Sequence, residues 1–168
     1  IYLFFVLRSP TTGSVGDEGR YLMFASNLLH GFYSPPSPDI DLGNGPGYAI
    51  FLIPFLAFHL PLITITLLNA CFYYLSVVFL FKACNAVMPF RLSLIAGLFW
   101  ALFLNMYEYL PIIYTESFTV FLISLILFNL IKGFNSPRKK TNTYFSGFLI
   151  GFLALTKPIF GYVMMFLF

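Results

Sequence analysis

Tyr48-Ala-Ile-Phe-Leu-Ile-Pro54-Phe-Leu-Ala-Phe-His59-Leu-Pro61-Leu-Ile-Thr-Ile-Thr-Leu-Leu-Asn69-Ala-Cys71-Phe-Tyr-Tyr-Leu-Ser-Val-Val-Phe-Leu-Phe81 holds no Asp, Glu, Lys or Arg. A bilayer core of about 30 Å takes ~20 apolar residues as a helix rising ~1.5 Å each. As one straight helix the stretch would be about 50 Å long, too long for one crossing and cramped for two. Pro54, His59 and Pro61 interrupt it. It therefore reads as a broken or shallow helix over about 48–60, followed by a crossing over about 62–82.

The rest of the chain is built alike. Of 168 residues, 60% are hydrophobic and only 9% charged, where a soluble domain carries about 25% charged residues. An outer-membrane strand alternates polar and apolar positions. Phe118-Thr-Val-Phe-Leu-Ile-Ser-Leu-Ile-Leu-Phe128 does not, so an all-α, polytopic helical bundle is expected. Cys71 and Cys84 are too few and too deep in apolar sequence for a disulfide scaffold or a zinc site. Neither Ile1 nor the apolar tail from Phe160 has the look of a natural end. Residues 1–168 are expected to be the N-terminal part of a single transmembrane domain, the first helix cut part-way.

Charge placement sets the topology. Lys82 and Arg91 flank one short loop, and Lys132, Arg138, Lys139 and Lys140 fill another. Both belong on the cytoplasmic side by the positive-inside rule. The turn from Asn105 to Pro111 has Glu108 and no base, so it belongs outside, as does the loop 9–47. The remaining crossings are then about 92–107, 112–131 and 144–166, the last interrupted near Pro158. All six acids (Asp17, Glu18, Asp39, Asp41, Glu108, Glu116) fall at the outer face. Arg138-Lys139-Lys140 reads as an anchor to anionic lipid rather than a nucleic-acid patch. Tyr48, Tyr107, Tyr109, Tyr114 and Tyr144 read as an interfacial belt.

Within the outer loop, Tyr21, Leu22, Ala25, Leu28 and Leu29 recur at spacings of three and four. They predict an amphipathic helix from Asp17 to about Gly31, lying on the membrane surface, with Ser14 as a cap and acids at its N-terminus. Asp17 and Glu18 have two readings on residue type alone: dipole-stabilising charges, or a functional carboxylate at the mouth of a bundle that acts as general base or binds a metal. Arg20 is a phosphate ligand or a surface charge paired with its neighbours. Lys157 stands between Thr156 and Pro158 in an apolar run, where an ionisable group is costly and is functional, paired or snorkelling. Glu116 opens the run ending at Phe128 and is either interfacial or a member of the same outer cavity. His59 has no His or Cys partner at metal-ligand spacing and reads as a packed or hydrogen-bonded histidine rather than a ligand.

The ordered set Asp17-Glu18-x-x-Tyr21-x-x-x-Ala25-x-x-Leu28-Leu29, Gly45-Pro46-Gly47-Tyr48, Leu68-Asn69-Ala70, Thr115-Glu116-Ser117 and Gly147-x-x-x-Gly151-x-x-x-Leu155-Thr156-Lys157-Pro158 resembles the GT-C type glycosyltransferases. The bacterial members similar to protein O-mannosyltransferases and lipid A aminoarabinose transferases are nearest. The resemblance implies a bacterial inner-membrane enzyme with its site facing the periplasm or exterior. Its donor would be a polyprenyl-phosphate sugar, and its acceptor a protein, lipid or glycan. It also implies inverting hexosyl or pentosyl transfer with Asp17 as catalytic base and Glu18 as second acid. Arg20, Tyr21, Glu116 and Lys157 would bind substrate or phosphate. Relatives mostly need no cofactor, and a divalent metal stays open. Lys157 stands where many relatives carry Arg, keeping the charge but not the two-pronged geometry. Later helices would be needed for a complete catalyst. A flippase-like transporter of a lipid-linked saccharide and a non-catalytic membrane subunit are the alternative readings.

Overall fold

A computed structural model describes residues 1–8, 11–13, 16–35, 40, 43–134 and 139–165. Its regular structure is all-helical, with no strand among the described residues. In chain order the helices are α1 (Tyr2–Arg8), α2 (Glu18–Leu29), α3 (Pro46–Ala57), α4 (Ile63–Asn85), α5 (Phe90–Ala101), α6 (Asn105–Tyr109), α7 (Glu116–Phe134), α8 (Lys139–Thr156) and α9 (Pro158–Met165). Ser14, Asp39, Asp41 and Arg138 lie outside the described residues.

Among the described residues two helices are long and apolar enough to cross a membrane: Ile63–Asn85, of 23 residues, and the first 18 residues of α7, Glu116–Gly133. They pack on each other, α8 covers α7, α5 covers α4, and α2 and α3 pair above them. Tyr21, Phe24, Tyr48, Leu52, Ile65, Ile113, Phe118, Leu122 and Leu149 make one buried cluster. Val6, Ala70, Tyr73, Met106, Tyr107 and Leu110 make another. Phe90, Ile95, Phe99, Tyr144 and Phe148 stand exposed. An apolar exterior of that kind fits a lipid environment or a partner surface better than water.

The break between α3 and α4 is made by His59, while Pro54 sits inside α3. His59 takes φ +50°, and its N–H donates to the Leu56 carbonyl as that of Leu60 donates to Phe55. This is the paired bonding of a Schellman motif, normally built on glycine. Pro61 then prevents the helix from resuming directly. The same motif closes α2, where Gly31 (φ +87°) donates to Leu28 and Phe32 to Asn27.

The segment expected to cross over 92–107 is two helices. The first, α5, has 12 residues and spans about 18 Å at ~1.5 Å per residue. Its last carbonyls are taken from outside the helix. Tyr73 donates to the Trp100 carbonyl, and Tyr107 and Tyr2 donate to Ala101 at 2.6 and 3.1 Å. These hydroxyls supply partners for the last two carbonyls of α5, that of Trp100 being shared with the Phe103 N–H at 3.2 Å. Trp100 Nε1 donates to Ser76 Oγ at 3.0 Å and locks α5 to α4.

Candidate functional site

α7 and α8, consecutive in the chain, pack on each other, and the start of α7 meets the end of α8 at one end of the bundle. Lys157 Nζ lies 2.9 Å from Glu116 Oε1, with both side chains about two-thirds buried. Pro158 has no N–H, so α8 stops there and α9 starts afresh. Glu116 Oε2 is buried without a hydrogen-bond partner among the described residues, as is the Tyr48 hydroxyl.

Residues of the Gly45–Tyr48 motif are pressed against this kink. A Cβ on Gly45 would come within 2.0 Å of the Leu155 carbonyl oxygen, and one on Gly47 within 2.7 Å of Thr156 N and Oγ1. Only glycine lets the entry of α3 sit this close to the end of α8. Pro46 follows at the first helical position, where its missing N–H costs nothing.

A cavity of about 540 Å³ results, walled by Tyr21, Asn44, Thr156, Lys157, Pro158 and Tyr162, among others. Tyr21 comes from α2, and its ring packs edge-on against Tyr48 at 5.2 Å. Burial holds the Tyr21 phenol above its ordinary pKa. The Glu116 and Asp17 carboxylates push the same way, against opposing effects of Thr115 and Arg20. The two acids therefore act on one hydroxyl from different helices.

The neighbouring acids Asp17 and Glu18 have opposite fates. Glu18 is fully buried. Its Oε1 accepts from the Thr11 hydroxyl and, at 2.7 Å, from the Ile113 N–H. It clasps the Thr11 segment to the turn before α7, a structural contact that keeps this carboxylate out of the cavity wall. Asp17 is half-exposed. It occupies the N-cap position of α2 but makes no side-chain capping bond. Its backbone N–H donates to the Tyr114 hydroxyl at 3.2 Å, and a Cβ on Gly16 (φ +53°) would lie 2.0 Å from that hydroxyl. Tyr21 N–H bonds the Asp17 carbonyl, so the two residues stand one turn apart on one face of α2.

Arg20 is exposed and pairs with Asp17 at 3.5 Å. It is absent from the cavity wall, where a phosphate ligand was expected. Asn69, part of the ordered motif set, is buried and donates to the Ile112 carbonyl at 2.8 Å, fixing the same turn before α7. Asn44 and Tyr162 enter the wall without having been singled out. Asn44 lies inside a glycine-rich loop and Tyr162 in an apolar run, so neither carried a local signal. Among the described residues no three His, Cys, Asp or Glu side chains group to hold a metal ion.

No protein-family model, curated protein or solved structure matches this chain.

Proposed function

We propose that this chain carries the outer-face site of a GT-C type membrane glycosyltransferase using a polyprenyl-phosphate sugar donor. One observation carries the reading. Four polar motifs far apart in sequence (Asp17–Tyr21, Asn44–Tyr48, Thr115–Glu116 and Thr156–Pro158) meet at one end of an apolar bundle: Tyr21, Asn44 and Thr156–Pro158 wall one cavity, Glu116 pairs with Lys157 behind that wall, and Asp17 stands one helical turn from Tyr21. In this reading Asp17 accepts the proton of an acceptor hydroxyl as its oxygen attacks the anomeric carbon. The bond from that carbon to the phosphate oxygen breaks, and polyprenyl phosphate leaves. Lys157 offsets the negative charge that grows on the departing phosphate. Glu116 holds the ammonium in place until the phosphate takes over. Tyr21, protonated at neutral pH, donates a hydrogen bond to the donor.

A transporter would carry its polar groups near the bilayer midplane. Here they gather at the helix ends, which favours chemistry at the surface. The direct test is Asp17→Asn, assayed by transfer of labelled sugar from a polyprenyl-phosphate donor in membranes. A fall of about 10²–10⁴-fold with unchanged membrane insertion and melting is expected for loss of a general base. Undiminished transfer by the variant would remove Asp17 from the mechanism.

A further inference from the structure

A second cavity, of about 610 Å³, lies between the end of α1 and the turn that carries α6. Its walls are Phe5, Arg8, Leu104, Tyr107, Glu108 and Pro111, none shared with the cavity at Lys157. Arg8 and Glu108 are both exposed, and among the described residues neither side chain forms a hydrogen bond or ion pair. The Tyr107 hydroxyl already donates its hydrogen bond to the Ala101 carbonyl. Leu104 is 75% exposed, and with Phe5 and Pro111 it offers hydrocarbon beside the two charges.

A guest that satisfies this lining brings an anion for Arg8, a cation for Glu108 and apolar chain for the remaining wall. Arginine takes a phosphate through two parallel bonds, and a carboxylate takes a primary ammonium as a donor of several hydrogen bonds. The charge pattern of the chain puts this arginine, the last residue of α1, and this acid, in α6, beyond the apolar helices and at the level of lipid headgroups. We propose that the cavity seats the headgroup of a zwitterionic phospholipid of the phosphatidylethanolamine type. Its phosphate lies on Arg8, its ammonium on Glu108, and the start of its acyl chains along Phe5, Leu104 and Pro111. An anionic lipid of the phosphatidylglycerol type meets Arg8 equally well but leaves Glu108 facing hydroxyls with no compensating charge. The inference needs only that the helices sit in a bilayer and is independent of the glycosyl-transfer reading.

The test is lipid retention. The protein is reconstituted in vesicles of equimolar phosphatidylethanolamine and phosphatidylglycerol, extracted in mild detergent, and weighed with its bound lipid by native mass spectrometry. The wild type keeps phosphatidylethanolamine in preference. Arg8→Gln lowers retention of both lipids, by roughly 5–10-fold for loss of one charge-assisted phosphate contact. Glu108→Gln abolishes the preference and raises the phosphatidylglycerol share. Arg8→Lys and Glu108→Asp, which keep the charges, retain the preference. Equal retention of the two lipids by the wild type overturns the proposal. So does a preference that survives Glu108→Gln, or a loss as large in the charge-conserving variants as in the neutral ones.

Discussion

Gly45→Ala adds a single methyl group where α3 meets α8, and the structure sets what it must displace. The new Cβ would stand 2.0 Å from the Leu155 carbonyl oxygen and 2.8 Å from its carbon. Ordinary contact begins at 3.4 Å, so the backbone of α8 must retreat by about 1.4 Å, since no flexible side chain can yield instead. The φ of Gly45 is −74°, which alanine adopts freely, so the effect is purely steric apart from a few tenths of a kcal/mol at the cap. Overpacking against backbone costs about 2–3 kcal/mol, or roughly 5–10 °C in melting temperature for a chain of this size. A shift of that size two residues upstream would also draw Lys157 beyond hydrogen-bond reach of Glu116. Scanning fluorimetry in detergent measures the first effect, and Gly147→Ala and Gly151→Ala are the controls. Nothing lies within 4 Å of a Cβ at either position, and alanine inside a helix gains about 0.5–1 kcal/mol over glycine. Equal melting of Gly45→Ala and wild type, or equal losses at all three glycines, would refute the packing argument.

Two further outcomes test the electrostatics. Glu116→Gln and Lys157→Gln each destabilise, and the double variant costs less than their sum by about 1–3 kcal/mol, because each single change strands a partly buried charge. Strict additivity in a double-mutant melting cycle would mean that the pair is not coupled. The Tyr21 phenol is raised above 10.0 in the fold, so the unfolded chain loses that proton first. Its stabilisation is complete below the ordinary value and disappears as pH rises through the higher folded value. Tyr21→Phe should therefore show a shallower alkaline loss of melting temperature than wild type, and superimposable curves would sink the assignment.

The sequence by itself determined the helical class, because backbone polar groups in so apolar a chain must be satisfied within each segment. It also determined several boundaries. Gly31 closes α2 because a left-handed residue there lets two N–H groups reach back to the last carbonyls. Pro158 separates α8 from α9 because it lacks a donor. Segregated charge, a property of sequence alone, gives only the expected side of each loop.

Other features depend on contacts between distant residues. No local pattern shows that Tyr2 and Tyr73, 99 and 27 residues away from their acceptors, will take the carbonyls that end α5. Neither could spacing choose between Asp17 and Glu18. Adjacent positions on a helix point about 100° apart, and only the approach of Ile113 and Thr11 decides which acid is buried. Gly45 and Gly47 carry a signal as glycines, but its meaning lies in the end of α8, more than a hundred residues later. Residue type and periodicity determine which groups each helix offers. Tertiary packing decides which of them share one cavity, because burial and hydrogen bonding there require atoms from several helices at once.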